Sequence, residues 1–448
     1  MKLTYNVKDK PKFGQVIVFA IQQLLAILAA TIAVPAIVGN GMSQSAALFG
    51  AGVGTLVYLL FTKFKSPVFL GSSFAFLGSM FAAFGGAASA SVGYAGIIIG
   101  AFFAGLVYVV IALIVKIAGV KWINKLMPAV VIGPTVAIIG LSLAGNAIGD
   151  SLKGTVLDAD GNHMMNATGW VSLICALVTL ITVILCSVYG KKMMKLIPFI
   201  IGILAGYAVA TIFTVIGIKT GNDALKVINF DVFKDMKIFA VPDFTCIKAF
   251  EGLSKITGKY IASIAVAYIP VAFVVFAEHI ADHKNLSSII ETELLEEPGL
   301  HRTLLGDGVG SMAGAFFGGC PNTTYGESVG CVAITGNASI VTIFTTAILA
   351  IIISFFGPFV TFLSTIPSCV MGGVCVTLYG FIAVSGLKML QPVDLNDNRN
   401  LFTASVILIA GIGGMALKIG QVTLTEVACA LILGIIVNLV LSGKKDKA

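Results

Sequence analysis

The sequence predicts an all-α polytopic membrane protein with 14 transmembrane segments in a 7+7 inverted repeat. The first observation is composition: of 448 residues, 58% are hydrophobic and 11% are charged, and the mean hydropathy is +1.02. A soluble domain carries roughly 25% charged residues, so this chain has too little charge to cover a surface that faces water. The other two observations are a series of apolar stretches and the recurrence of short motifs in the two halves of the chain.

The apolar stretches are long enough to cross a bilayer, which takes about 20 residues. In the first half they are Gln15–Val38, Ala46–Thr62, Val68–Phe84, Val92–Ile117, Pro128–Ala144, Gly169–Tyr189 and Leu196–Gly217. In the second half they are Tyr260–Ala281, Thr303–Gly318, Pro321–Thr335, Ile340–Leu363, Pro367–Gly386, Leu401–Leu417 and Leu424–Leu441. The third and tenth of these are short and interrupted.

The distribution of lysines predicts the orientation in the cytoplasmic (inner) membrane. An even number of segments with both termini cytoplasmic agrees with the positive-inside rule. The cations that then lie inside include Lys2, Lys8, Lys10, Lys12, Lys63, Lys65, Lys116, Lys121, Lys125, Lys191, Lys192, Lys195, Lys444, Lys445 and Lys447. The first apolar run is too long for a signal peptide and is expected to stay as a helix. The net charge of +7 follows from this topology, so no nucleic acid is expected as a partner.

Two pairs of short motifs recur in the two halves. Leu-Ala-Ala-Thr-Ile-Ala at 28–33 is echoed by Phe-Ala-Glu-His-Ile-Ala at 276–281, and Ser-Ser-Phe at 72–74 by Thr-Thr-Tyr at 323–325. Transporters built from inverted repeats carry discontinuous helices at equivalent positions, and the free N–H groups of those helices face the substrate near the midplane. The interrupted segments 3 and 10 are therefore predicted to form the site.

Four acids interrupt apolar runs: Glu278, Asp282, Asp307 and Glu327. An intramembrane carboxylate is costly and indicates function. Glu278 and Asp282 are four residues apart on one helical face, where each shifts the proton affinity of the other, which is what proton coupling requires. His279 is adjacent and is expected to assist through hydrogen bonds. Asp307 is expected to brace segment 10 rather than to contact substrate.

The acid of segment 10, Glu327, directly follows the interruption. A carboxylate accepts two hydrogen bonds side by side, which suits the N–H groups of a pyrimidine-dione, while backbone N–H groups suit its carbonyls. Phe74, Tyr325 and Tyr379 offer ring faces for stacking.

Other chemistries find little support in the sequence. A phosphate-binding G-x-x-x-x-G-K-[ST] loop does not occur, which argues against ATP drive. Gly326-Glu327-Ser328-Val329-Gly330 fits a hydrolase G-x-S-x-G pattern but lies in an apolar membrane context, so an enzyme is not expected. The eight cysteines form no C-x-x-C pair, and neither a metal nor a cofactor is predicted.

The stretch 318–335, Gly-Gly-Cys-Pro-Asn-Thr-Thr-Tyr-Gly-Glu-Ser-Val-Gly-Cys-Val-Ala-Ile-Thr, resembles the signature of the nucleobase–ascorbate transporters, also called nucleobase–cation symporter 2. The resemblance extends to 70–76, 276–279 and 298–302 and covers essentially the whole chain. The sequence departs from the family pattern at Ser328, where Asn is common, and at Gly336, where the signature ends in a basic residue. Asp282 stands where the best-known uracil carrier has His.

The resemblance implies a homodimeric, elevator-type carrier that imports uracil with protons, Na⁺ remaining open as the coupling ion. It implies short strands before the half-helices of segments 3 and 10. It also implies a core domain of 14–117 and 260–363, a gate domain of 118–217 and 364–441, and a connecting loop at 218–259. The implied substrate contacts are Glu278, Glu327, Phe74, Gly326, Tyr325, Ala30 and Tyr379.

Two alternatives remain at this stage. A xanthine or urate carrier would share the family, although Glu at 327 favours pyrimidines because similar purine carriers tend to have Gln there. An anion exchanger of the sulfate-permease architecture would be expected to place positive charge, or none, at the half-helix ends, since helix N-termini already attract anions. Two glutamates there argue against it.

Overall fold

The structure is a computed structural model that describes residues 3–119, 122, 126–191, 193–419 and 422–442. Several predicted cytoplasmic cations lie outside the described residues: Lys2, Lys121, Lys125, Lys192, Lys444, Lys445 and Lys447.

The described chain is mostly helical, as its composition predicts. In the first half the helices are α1 (Phe13–Val38), α2 (Gln44–Phe61), α3 (Leu77–Gly85), α4 (Ala90–Ala118), α5 (Ala129–Ser142), α6 (Ala144–Ser151), α7 (Ala167–Tyr189), α8 (Met193–Leu196) and α9 (Pro198–Thr220). In the second half they are α10 (Thr245–Phe250), α11 (Gly258–Ile290), α12 (Leu300–Gly318), α13 (Gly326–Thr335), α14 (Ile340–Ser354), α15 (Gly357–Ser364), α16 (Ser368–Lys388), α17 (Asn398–Ile412) and α18 (Glu426–Ser442).

Among the described residues, 8 helices are long and apolar enough to cross a membrane. They are Phe13–Val38, Gln44–Phe61, Ala90–Ala118, the α5–α6 pair at Ala129–Ser151, Ala167–Tyr189, Pro198–Thr220, Gly258–Ile290 and Ser368–Lys388. Shorter apolar helices occupy Phe74–Gly85, Ile340–Ile353, Asn398–Ile412 and Glu426–Leu441. The chain is therefore an integral membrane protein, and the 14-segment, 7+7 arrangement stays a prediction.

Segments 3 and 10 each begin with a short strand, β1 (Leu70–Ser72) and β4 (Asn322–Thr324). The two strands pair antiparallel with Gly71 opposite Thr323, although they are far apart in sequence. Extended backbone inside a membrane needs internal partners, and this pairing supplies them. A 3₁₀ turn at Phe74–Phe76 and α3 follow the first strand, and the half-helix α13 follows the second.

The structure differs from the predicted segments 8, 11 and 13. Segment 8 continues to Ile290 as part of α11 rather than ending at Ala281. Segment 11 is two helices, α14 and α15, because Pro358 has no N–H and its ring clashes inside a helix, so it is tolerated only in the first turn of a new one. Segment 13 ends at Ile412 rather than at Leu417, where the strand β5 (Leu417–Ile419) of a hairpin with β6 (Val422–Leu424) begins. Another small hairpin, β2 (Val156–Leu157) with β3 (His163–Met164), follows α6.

Helix packing groups the elements into two sets. In one set, α12 packs against α2 and α4, while α11 packs against α4 and α14 against α2. In the other set, α16 packs against α5 and α7, while α7 packs against α9 and α17 against α18. The first set contains both strand-led segments.

The connection between the two halves lies against both sets. At its start, the backbone N–H groups of Val227 and Ile228 donate to the Thr214 hydroxyl in α9, at 3.2 and 3.1 Å. Further along, the ring of Phe239 stacks on Phe355 at the end of α14, with 5.4 Å between centroids.

Candidate functional site

A cavity of about 410 Å³ lies between the two sets of helices, where the two strands end. Small-molecule sites typically occupy about 300–1,000 Å³. The side of the strand-led segments and α11 contributes Ser73, Phe74, Ala75, Glu278, Ala281, Asp282, Thr323, Thr324, Tyr325, Gly326 and Glu327. The opposite side contributes Val136, Ile139, Phe199, Leu378, Phe381, Ile382, Ser385 and Met389.

At this cavity each of the two strands, β1 and β4, passes into a helical turn. Phe74 follows β1 and begins the 3₁₀ turn, while Gly326 and Glu327 form the first turn of α13. The first four backbone N–H groups of a helix have no partner within that helix, so they are available to a ligand. The Tyr325 hydroxyl donates to the Ser72 carbonyl at 2.8 Å and so links the two strand-to-helix junctions.

Three carboxylates face the cavity. Glu278 and Asp282 lie one turn apart on α11, and Glu327 lies on α13. All three are partly exposed. Among the described residues, none of those that line the cavity is a cation. The cavity is therefore acidic on one wall and almost entirely apolar on the other, where Ser385 supplies the polar side chain.

Asp282 is held by the strand that precedes α13. The Thr324 hydroxyl donates to Asp282 Oδ2 at 2.8 Å. A Cβ atom added at Gly326 would lie 3.7 Å from Asp282 Oδ1, so this carboxylate is beside the start of the half-helix. The structure thus brings Glu278, Asp282 and Glu327 to one cavity, as the sequence predicted for the two glutamates.

His279 points away from the cavity, into the packing between α11 and α12. Its Nδ1 lies 2.7 Å from Asp307 Oδ2 and its Nε2 lies 2.9 Å from Thr303 Oγ1. The side chains of His279 and Asp307 are both 0% exposed. The His279 ring stacks on His283, with 4.0 Å between centroids. Asp307 therefore contacts α11, whereas the sequence suggested that it braces segment 10.

Two residues that the sequence predicted as substrate contacts are not among those that line the cavity. Ala30 is buried in α1 and does not line the cavity. Tyr379 is also buried, and its ring meets Phe74 edge to face at 6.0 Å between centroids. Tyr379 therefore packs against Phe74, which does line the cavity.

The sequence reasoning missed the whole apolar wall. Val136, Ile139, Leu378 and Ile382 are ordinary apolar residues in apolar segments, so no local pattern separates them from residues that face lipid. Thr324 was also missing from the predicted site residues, although the sequence could have indicated it, because it lies within the signature stretch and immediately precedes Tyr325.

Ser328 holds the site together from the protein interior. Its hydroxyl accepts hydrogen bonds from the Phe69 backbone N–H at 2.9 Å and from the Gln23 side-chain amide at 2.5 Å. It therefore joins α13 to α1 and to the chain that leads into β1.

Comparison with known proteins places this architecture in a family. The model of a family described as "Permease family" matches residues 14–420. The chain belongs to this permease family. It is consequently a membrane transporter and not an enzyme, and the resemblance found in segment 10 is confirmed.

The permease is similar over its full length to proteins named uracil permease. It is 40% identical to the one from Bacillus caldolyticus, over 100% of this chain and 96% of that protein. It is 38% identical to the one from Bacillus subtilis, over 100% and 97%, and 35% identical to the one from Escherichia coli K12, over 97% and 93%.

Two solved structures share the fold at low sequence identity. The transmembrane domain of the cyanobacterial bicarbonate transporter BicA matches with a TM-score of 0.65 and 17% identity, covering 97% of the permease and 100% of that chain. The murine solute carrier 26 family member A9, an anion transporter in the inward-facing state, matches with a TM-score of 0.66 and 11% identity, covering 97% and 69%. These likenesses concern the fold alone.

Proposed function

We propose that the permease imports uracil across the cytoplasmic membrane by proton symport. The observation that carries the proposal is that Glu278 and Glu327, from two different elements, face one cavity of small-molecule size. The full-length similarity to three uracil permeases supports the choice of substrate.

The chemistry of the cavity suits a neutral pyrimidine-dione. Glu278 and Glu327 accept hydrogen bonds from the ring N–H groups, while backbone N–H groups near Phe74 and Gly326 donate to the ring carbonyls. Phe74 and Tyr325 cover the ring, and Tyr379 supports Phe74. The acidic wall disfavours an anionic substrate, because like charges brought together in a low-dielectric site repel strongly.

Proton coupling is assigned to the acids of α11. Glu278 carries or senses the proton, and Asp282, four residues further on, tunes it. His279 acts on Glu278 only indirectly, through the packing of α11 against Asp307. The experiment below also tests whether Na⁺ is the coupling ion.

The transport step is proposed to be an elevator-type movement of a core domain, 14–117 and 260–363, against a gate domain, 118–217 and 364–441. The two sets of packed helices support this division, and the cavity lies between them. The loop 218–259 connects the halves, both termini are cytoplasmic, and the permease works as a homodimer surrounded by membrane lipid.

The direct test is uptake of radiolabelled uracil by proteoliposomes that contain the purified permease. Uptake should rise when an inward proton gradient is imposed and collapse when a protonophore removes it. Stimulation by a Na⁺ gradient instead would reject proton coupling, and uptake of xanthine in preference to uracil would reject the substrate assignment.

Glu327→Gln tests the binding role. Charge-assisted hydrogen bonds contribute about 1.5–3 kcal/mol, so uracil affinity should fall roughly ten- to a hundredfold, with a relative gain for purines. Glu296→Gln, an exposed acid in the α11–α12 connection, is the matched control and should leave uptake unchanged. Unchanged affinity and rate in Glu327→Gln would show that Glu327 is misassigned.

A further inference from the structure

A second, smaller cavity of about 90 Å³ adjoins the first. Both cavities are lined by Phe74, Ala75 and Ile139, so these side chains form a layer between them. The remaining walls of the second cavity come from Leu77, Gly78, Ser79, Phe81, Ser142, Leu143, Asn146, Val271, Thr425, Glu426 and Val427.

The two cavities follow one another along the same path. On α11, Val271 lines the second cavity and Glu278 the first, and seven residues of helix advance about 10 Å. On α5, Val136 lines the first cavity, Ile139 lines both and Ser142 the second. Two helices from opposite sides of the cleft thus give the same order.

The two cavities extend toward opposite ends of the membrane helices. The first cavity extends to Phe199 in the first turn of α9 and to Met389 just after α16, which are the predicted cytoplasmic ends. The second extends to Asn146 in α6 and Glu426 in the first turn of α18, on the predicted outer side. Asn146 is exposed, so this end lies at the surface of the protein, on the side predicted to face outward.

The polar groups of the second cavity match the edges of a pyrimidine-dione. An Asn amide both donates and accepts hydrogen bonds, and a Glu carboxylate accepts them. The Ser79 and Ser142 hydroxyls instead donate to the backbone carbonyls of Ala267 and Ile139, at 2.7 and 3.2 Å. The Thr425 hydroxyl accepts from the Ala428 backbone N–H at 3.4 Å, at the start of α18. Asn146 and Glu426 are therefore the amide and the carboxylate that can turn toward a passing ring.

We propose that Asn146 and Glu426 form an outer binding position for the transported ring, and that Phe74 and Ile139 close the path between this position and the main site. The proposal rests on the proposed function. At about 90 Å³ the outer cavity is below the size of ordinary ligand sites, so the proposal requires it to widen when the two sets of helices move apart.

The first test compares uptake with equilibrium binding of uracil. Asn146→Ala and Glu426→Gln should each raise the KM for uptake at least fivefold, because the outer position feeds the main site. Binding of radiolabelled uracil to the solubilised protein should stay within twofold of wild type. Gly145→Ala is the control for α6, since a Cβ there meets nothing within 4 Å, and it should change neither quantity.

Two outcomes of this test would overturn the proposal: an unchanged KM in both variants, or a loss of equilibrium binding equal to the rise in KM, which would place both residues in the main site. If wild-type protein neither binds nor imports uracil, the proposed function fails instead, and the labelling test still decides the path.

The second test needs no substrate. Cys246 is the half-buried cysteine of the chain and the other seven are buried, so Cys246→Ser gives a background with little reactivity toward thiol reagents. In that background, Asn146→Cys should react with a membrane-impermeant methanethiosulfonate added outside, and Ser385→Cys with the reagent added inside. Labelling of Asn146→Cys only from inside, or from neither side, would refute the outer path.

Discussion

At the scale of single residues, the hydrogen bond between Thr324 and Asp282 links the proposed coupling acid to the strand beside the substrate. Thr324 is fixed by its pairing with Leu70 across the two strands. Its hydroxyl therefore holds one oxygen of Asp282 in a defined place, whereas Glu278, which is proposed to bind the substrate, is one turn away. Loss of this hydrogen bond should therefore weaken proton coupling more than it weakens uracil binding.

Thr324→Val removes the hydroxyl at nearly constant volume. A hydrogen bond to a charged group contributes about 1.5–3 kcal/mol, and its loss should reduce the stimulation of uptake by a pH gradient at least fivefold. Thr324→Ser keeps the hydroxyl and is the matched control, with stimulation close to wild type. The measurement is uptake with and without an imposed gradient, next to equilibrium uracil binding. A Val variant that keeps full stimulation would remove Thr324 from the coupling mechanism.

Ser328 shows why a residue can depart from a family pattern without loss of the site. Asn is common at this position, and Asn also offers an oxygen that accepts hydrogen bonds. The Ser328 hydroxyl oxygen likewise accepts hydrogen bonds, from the Phe69 backbone N–H and the Gln23 side-chain amide. The sequence alone could identify the departure but not its consequence, because both partners are distant in the chain.

At the scale of elements, the interrupted segments depend on a close approach between β1 and the residue that precedes α13. A Cβ atom added at Gly71 would lie 2.3 Å from the ring of Tyr325, and this ring is buried and lines the cavity. Glycine is therefore required at position 71 by contact rather than by backbone conformation.

Gly71→Ala should displace Tyr325 and destabilise the site. Forcing an extra methyl group into a packed core typically costs about 1–3 kcal/mol, so the solubilised protein should melt several degrees lower and uracil uptake should fall sharply. Gly330→Ala, inside α13 with nothing within 4 Å of an added Cβ, is the control and should keep both properties. Melting can be followed by size-exclusion chromatography after heating. Equal behaviour of the two variants would contradict the contact argument.

The interruptions themselves were predictable from sequence, and the opposite wall was not. Short segments that begin with Ser-Ser-Phe and Thr-Thr-Tyr indicate broken helices because hydroxyl side chains and glycine suit backbone that leaves a regular helix. The break of segment 11 at Gly357-Pro358 was also readable but was overlooked. The wall around Val136 and Leu378 needs tertiary structure, since membrane helices are apolar on lipid-facing and buried faces alike.

At the scale of the whole molecule, one fold holds cavities of different chemistry. The fold is shared with transporters whose names specify bicarbonate or anions, at 17% and 11% identity. In the part of this permease that the structure describes, three carboxylates and no cations line the cavity. Under the proposed function, the few side chains at the strand ends set the substrate class, whereas the shared fold supplies the two sets of helices proposed to move relative to each other.

The proposed movement can be tested where the two sets touch near Cys331. Cys331 of α13 and Ala26 of α1 form a buried apolar cluster with Leu196, which precedes α9. Leu196→Cys therefore places a second thiol in the same buried cluster as a native one, across the proposed boundary between core and gate. If transport requires the two domains to slide, oxidation to a disulfide should reduce uracil uptake more than tenfold, and a reducing agent should restore it. Leu196→Cys combined with Cys331→Ser is the control, and mass spectrometry verifies the cross-link. Cross-linked protein that transports at the rate of the reduced form would contradict an elevator-type movement at this boundary.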